Sequence, residues 1–189
     1  MEKIVVIGSP GAGKTDFALQ LGKICNIKVL HLDRLFWKRG WGKKSRDARI
    51  DILYQVMLEK QWIIEGTYLG SFEPRLEEAD TIIFLDMLPL LCLWRIIIRH
   101  WKNRGKPRRD LPMDSKDKLT LGLMLKVLAF PFAERKRLKQ TLNKYDSGRV
   151  IWLHSRKGVA KFLKEQKQDT QGSSLNGGRF QPNFNLAQT

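Results

Sequence analysis

Between residues 8 and 15 the chain reads Gly-Ser-Pro-Gly-Ala-Gly-Lys-Thr, a spacing of residue types suited to holding phosphate. Glycines at 8, 11 and 13 free the backbone for unusual angles and let it crowd an anion. Successive N–H groups then converge on one concavity that phosphate oxygens fill. Ser9, Pro10 and Ala12 complete that loop as its expected nucleotide-binding lining. Lys14 has the reach for β- and γ-phosphates, and the Thr15 hydroxyl can ligate Mg²⁺. Three carboxylates, Asp33, Glu65 and Asp86, each follow a short apolar run and could do metal or base work. Phosphoryl transfer asks for little more: metal held, charge neutralised, water excluded, acceptor aligned.

Residues with these tasks need a frame. Lys3-Ile4-Val5-Val6-Ile7 precedes the loop as a β-branched run suited to a buried parallel strand. Phe17, Ala18, Leu21 and Ile24 follow at helical spacing. The loop therefore lies at a helix N-terminus, whose dipole adds to the attraction for phosphate. Further strands are predicted at 28–32, ending at Asp33, at 62–64, ending Glu65-Gly66, at 81–85, ending at Asp86, and at 149–153. Residues 34–42 are expected to form a loop, with a helix starting after Ser45 as its N-cap. Helices are also expected around 74–78, 89–101, 119–130, 132–145 and 159–166, with a break or kink at Pro131. Strands alternating with helices give an α/β domain with a mostly parallel sheet and helices on both faces. Ligands gather beyond the carboxyl ends of such strands. From about residue 166 the chain turns rich in Gln, Asn, Gly and Ser, the composition of a flexible polar tail over 166–189.

The chain has 189 residues and a formal net charge of +16. Its length suits one domain, 1–165, with a small inserted lid. The charge draws polyanions: nucleotides, nucleic acid or acidic membrane surfaces. Cys25 and Cys92 sit among apolar residues and read as free thiols, with no disulfide framework or metal spacing. A strand at the N-terminus leaves no room for a signal peptide. Asp86, Pro89 and Arg95 interrupt the most apolar run, which argues against a membrane span. A cytoplasmic location is the expectation.

The layout over roughly residues 2–165 resembles the P-loop small-molecule kinases of the adenylate kinase and shikimate kinase type. Within that group it looks most like bacterial proteins labelled "DNA topology modulation". That closer resemblance rests on HLDRLFWKRGW (31–41), WIIEGTY (62–68), RLEEADTIIFLD (75–86) and RGKPRRD (104–110). It implies ATP and Mg²⁺ as cofactors and a five-stranded sheet of order 2-3-1-4-5. The third strand then lies beside the phosphate loop, and Glu65 assists Mg²⁺ through water. Asp33 takes the position of the carboxylate that, in hydroxyl-phosphorylating relatives, sits by the acceptor. Asp86, despite a Walker-B look, stands open between a metal role and a turn cap.

Arg95 and Arg99 are four apart and share a helix face. With Arg104, Lys106, Arg108 and Arg109 they make a basic cluster. The resemblance implies a lid, about 99–126, whose arginines neutralise charge on the transferring phosphoryl group. Arg99, Arg104 and Arg108 are its expected catalytic members beside Lys14 and Asp33, with Arg95 toward the nucleotide. A solvated basic face is the other reading of that cluster. Arg156, just after the fifth strand, falls where such kinases pack adenine.

The sequence also departs from nucleoside monophosphate kinases. Glu65-Gly66-Thr67-Tyr68 lacks the arginine that grips an acceptor phosphate there, and Arg75 is the nearest substitute. Trp37, Trp41 and Tyr68 could stack on a base or sugar. Two function classes follow. One is a phosphotransferase moving the ATP γ-phosphoryl group to a small acceptor. The other is an ATP-binding, nucleic-acid-associated protein whose affinity is bulk charge, since no helix-turn-helix, zinc or RNA-binding signature is present.

Overall fold

The computed structural model describes residues 1–37, 42, 44–102 and 119–176. Five parallel strands form one sheet of order β2-β3-β1-β4-β5. They are β1 (Lys3–Gly8), β2 (Val29–His31), β3 (Trp62–Glu65), β4 (Thr81–Leu85) and β5 (Val150–Leu153). The helices between them are α1 (Lys14–Cys25), α2 (Leu32–Phe36), α3 (Arg46–Met57), α4 (Phe72–Glu78), α5 (Pro89–Lys102), α6 (Leu121–Phe130), α7 (Lys136–Leu142) and α8 (Arg156–Asn176).

The near-continuous apolar runs of the strands explain why this sheet is buried on both faces. Val5 and Ile7 of β1 point to one side and pack with Ile64, Phe84, Phe36 and Leu138. Ile4 and Val6 point to the other and pack with Leu21, Ile83, Ile96 and Leu163. The first layer holds α2, α3, α4 and α7, and the second holds α1, α5 and α8. With both neighbours of β1 in place, Val6 pairs with Glu65 and Gly8 with Leu85. The phosphate loop thus leaves the middle of the sheet, flanked by the carboxyl ends of β3 and β4.

Four expectations are corrected here. β2 ends at His31, and Asp33 lies in the first turn of α2 rather than at a strand end. Leu32 and Phe36, four apart and both buried, turn the start of the expected loop into a short helix. The chain is not broken at Pro131: residues Pro131–Arg135 continue α6 as a π-helical turn into α7. Such a widened turn accommodates a proline that has no N–H to give. Finally, α8 runs ten residues past the expected start of the polar tail, with Gln166 buried and the Thr170 hydroxyl donating to its carbonyl at 2.9 Å. Lys, Gln and Glu are good helix formers, so low hydrophobicity did not mean loss of structure. Residues 177–189 of that expected tail lie outside the described residues. No helix among the described residues is long and apolar enough to cross a membrane.

Candidate active site

The phosphate loop is held in shape by contacts from two directions. Gly11 has φ +79°, and a Cβ there would collide with the carbonyl oxygen of Cys92 in α5. Gly13, the N-cap of α1, has φ +95°. A side chain at either position meets the left-handed penalty, and at Gly11 also the backbone of α5. Arg95 of α5 donates from Nη1 to the Ala12 carbonyl at 2.9 Å, bracing the loop from the same helix. From the β3 side, the Thr67 hydroxyl donates to the Gly8 carbonyl at 2.7 Å and accepts the Gly8 N–H at 3.2 Å. Lys14 Nζ donates to the Ser9 carbonyl at 3.1 Å, which also accepts the Ala12 N–H at 3.1 Å. The ammonium therefore lies over the loop, at the start of α1 where the helix dipole points outward.

Next to the loop stands a buried carboxylate. Glu65 is 4% exposed. Its Oε2 lies 3.0 Å from His31 Nδ1 and 3.5 Å from the Thr15 hydroxyl oxygen. A hydroxyl and a carboxylate side by side are the hard oxygen donors that Mg²⁺ prefers, and Mg²⁺ keeps several of its waters. These residues fit Mg²⁺–ATP: the left-handed glycines open the cradle, Lys14 supplies the charge, and Thr15 with Glu65 supplies oxygen. His31 fixes the orientation of the carboxylate and is a residue the sequence reading missed. Only the sheet register, which sets His31 at the end of β2 opposite Glu65, makes the pair visible.

On the other side of the cleft a hydrogen-bond chain holds Asp33. Trp37 Nε1 donates to the Tyr68 hydroxyl at 2.7 Å, and that hydroxyl donates to Asp33 Oδ1 at 2.5 Å. The direction is fixed by chemistry. An indole N–H can only donate, so the phenol proton must face the carboxylate. Burial first, and then the Asp33 charge, push the Tyr68 hydroxyl well above its ordinary pKa. Tyr68 packs edge-on against Phe36 with ring centroids 5.0 Å apart. Tyr68 and Trp37, expected to be stacking surfaces, are thus engaged at their polar ends, Tyr68 with Asp33 and Trp37 with Tyr68.

Arg75 does not reach the cleft as an anion grip. It is fully buried, and its guanidinium donates to the carbonyls of Gly66 at 2.8 Å, Thr67 at 3.2 Å and Tyr68 at 3.1 Å. Burial lowers its pKa to about 9, which still leaves it charged at neutral pH. Its work is to fix the turn that presents Thr67 to the phosphate loop and Tyr68 to Asp33.

Asp86 is likewise drawn away. Arg135 forms a fork on it, Nε to Oδ1 at 2.7 Å and Nη2 to Oδ2 at 2.6 Å, with His154 Nδ1 3.3 Å from Oδ2. That bidentate pair ties the π-helical turn to the end of β4. Asp86 is a structural anchor.

A cleft of about 1610 Å³ brings most of the expected site together. Gly8, Pro10, Gly11, Ala12, Gly13, Lys14 and Thr15 line it, as do Asp33, Glu65, Arg95, Arg99 and Arg156. Ser9 is 1% exposed and contributes its carbonyl to Lys14 from below. Lys102 joins the lining from the last turn of α5. Arg104, Lys106, Arg108, Arg109 and Trp41 lie outside the described residues.

No protein-family model matches the chain, and a comparison with curated protein sequences finds no match. Among solved structures the fold is similar to a shikimate kinase from Acinetobacter baumannii in complex with shikimate. That similarity has a TM-score of 0.51 at 15% identity, over 93% of this chain and 96% of the other. A gluconokinase from Sinorhizobium meliloti 1021 aligns with a TM-score of 0.49 at 14% identity, over 93% of this chain and 94% of the other. The five-stranded parallel sheet of order 2-3-1-4-5, with helices on both sides, is the P-loop kinase fold.

Proposed function

We propose that the protein is an ATP- and Mg²⁺-dependent phosphotransferase acting on the hydroxyl of a small molecule. The observation that carries this reading is the pairing, across one cleft, of two separately built polar centres. One is the loop with Lys14, Thr15 and Glu65; the other is Asp33, held by Tyr68 and Trp37. A protein that only binds nucleotide has use for the first centre and none for the second.

In this reading the loop N–H groups and Lys14 bind the triphosphate, and Thr15 with Glu65 holds Mg²⁺ directly and through water. The metal, when bound, neutralises phosphate charge and helps align the transferring group. Asp33 accepts the proton of the acceptor hydroxyl as it attacks. Arg95, Arg99 and Arg156 offset charge along the nucleotide, with Arg104 and Arg108 as proposed lid members. The solved shikimate kinase makes small hydroxy acids a sensible first panel for the acceptor. The test is ADP formation with and without each member of a panel of nucleosides, nucleotides, sugars and hydroxy acids. Stimulation by at least one acceptor is expected, and no stimulation across the panel would overturn the reading.

A second reading draws on the formal net charge of +16. Nucleic acid bound through bulk charge should lose affinity by orders of magnitude between low and moderate salt, with little sequence preference. A salt-resistant, sequence-selective complex would put nucleic-acid association, in the manner of the "DNA topology modulation" resemblance, ahead of phosphotransfer.

A further inference from the structure

Among the described residues, the molecule carries an apolar surface that no other described element covers. On α5 and just before it, Leu88 is 71% exposed, Leu90 73%, Trp94 55% and Trp101 76%. On the neighbouring α6 and the turn after it, the values are 71% for Leu121, 56% for Leu125, 39% for Leu128 and 85% for Phe132. Scattered exposed leucines need no account, but this concentration does. Leu90, Trp94 and Trp101 recur at helical spacing along α5; Leu121, Leu125 and Leu128 do so along α6, and the two helices pack against each other. Each helix thus has one side in the core, through Cys92 and Ile96 or Val127 and Phe130, and a second apolar side in solvent.

The charge around these helices is one-sided. Across residues 88–102 and 119–142 the one carboxylate is Glu134, which Lys126 already engages at 3.4 Å. The last turn of α5 holds Arg99, His100 and Lys102, of which Arg99 and Lys102 also line the cleft, and exposed Lys136 and Arg137 open α7. Exposed leucine and tryptophan set among cations is the composition of helices that lie in a lipid–water interface. Tryptophan favours that boundary because its ring is apolar and its N–H is polar.

We infer that the exposed face of α5 and α6 seats on an anionic phospholipid surface, with its leucine, tryptophan and phenylalanine side chains entering the headgroup boundary. Three occupants compete for such a face, and charge decides among them. A second copy would bring another cationic face against this one at a net charge of +16 per chain. Nucleic acid would satisfy the cations and could stack on Trp94 and Trp101, but offers nothing to five leucines. An anionic bilayer satisfies both. Trp94 also borders the nucleotide cleft, but the other residues of this face do not line it, and the inference stands whether or not the chain transfers phosphoryl groups.

The experiment is flotation of the full chain with vesicles of phosphatidylcholine alone and of phosphatidylcholine with about 30% phosphatidylglycerol, roughly one charge in three headgroups. Tryptophan emission is followed in parallel. Binding to the anionic vesicles with a blue shift is expected, at least about tenfold tighter than to neutral ones. The substitutions Leu125→Ser and Phe132→Ser lie on the exposed side, outside the nucleotide cleft. Each should weaken vesicle binding about tenfold while leaving ATP binding and the thermal midpoint unchanged. Absence of binding to anionic vesicles at low salt would overturn the inference. So would vesicle binding that both serine variants retain in full, since bulk charge would then suffice. A concentration-dependent dimer, or a complex with single-stranded DNA, that the serine variants abolish while vesicles fail to bind would assign the face to that occupant instead.

Discussion

The two walls of the cleft are built on opposite plans. On the proposed nucleotide wall, β1, the loop and α1 are consecutive, and most of the functional atoms belong to residues 8–15 and their backbone, joined by Glu65 from the end of β3. On the proposed acceptor wall the side chains are assembled across sequence. Asp33 sits in α2, its partner Tyr68 follows β3, and the arginine that fixes the Tyr68 turn comes from α4. Backbone-built binding tolerates drift elsewhere in the chain because a local segment encodes it. A wall stitched from distant side chains can change its ligand by single substitutions. The nucleotide should therefore be the general part of this molecule and the acceptor the particular one.

The largest expected effect tests the proposed nucleotide wall at Lys14. Lys14→Ala removes the ammonium above the loop and should lower phosphoryl transfer by about a thousandfold, with nucleotide affinity falling alongside. The thermal midpoint should hold, since Lys14 is partly exposed and bonds only the Ser9 carbonyl in the described structure. Calorimetry showing equal ATP affinity in this variant would remove the loop from its proposed role.

Asp33→Asn is the matching cut on the acceptor wall. It keeps the shape but loses charge and proton affinity, so acceptor-stimulated ADP formation should drop roughly a hundredfold or more with ATP binding spared. The comparison breaks if both variants lose ATP binding to the same degree, because the walls would then not be separable.

How much of this was legible beforehand follows the same division. The loop and the alternation of strands with helices came from local patterns: β-branched runs, a glycine-rich octapeptide, helical spacing; the strand order and Glu65 beside the loop came from the family resemblance. The short helix holding Asp33 was missed because five residues give little periodicity, and the buried pair Leu32 and Phe36 is their only mark. The length of α8 was missed because Gln166 is buried by α8 packing on α1, which composition does not report. The partners of Arg75 and Asp86, both named as candidates, were illegible for one reason: each partner set is chosen by tertiary placement. Arg135 lies 49 positions from Asp86, and nothing in either neighbourhood announces the pair.

Arg75→Ala should then show its cost in stability first. Removing the guanidinium leaves the carbonyls of residues 66, 67 and 68 short of a donor inside the protein and opens a cavity. A loss of about 3 kcal/mol is expected, read as a lowered denaturant midpoint. ATP affinity measured well below the transition should change less than turnover, because the turn carries Tyr68 as well as Thr67. A variant as stable as the parent would show that water satisfies those carbonyls, and that the clamp is dispensable.

The smallest effect sharpens the comparison most. Tyr68→Phe deletes one oxygen, the one that accepts from Trp37 and donates to Asp33. If Tyr68 acts by aiming Asp33, kcat should fall about tenfold, the worth of one charge-assisted hydrogen bond. KM for ATP should change less than kcat, because the hydrogen bonds that this substitution removes run to Trp37 and Asp33. A lost contact that merely loosened the fold would lower stability and slow every variant alike. Aiming makes a stricter demand: in the Asp33→Asn background, the further change Tyr68→Phe should have little left to remove. The two effects should therefore fail to add, by close to the whole of the single Tyr68→Phe effect. Full additivity in kcat would mean that Tyr68 serves the site by another route. Asp33 would then be held by the shape of α2, and the acceptor wall would be as local in its construction as the nucleotide wall.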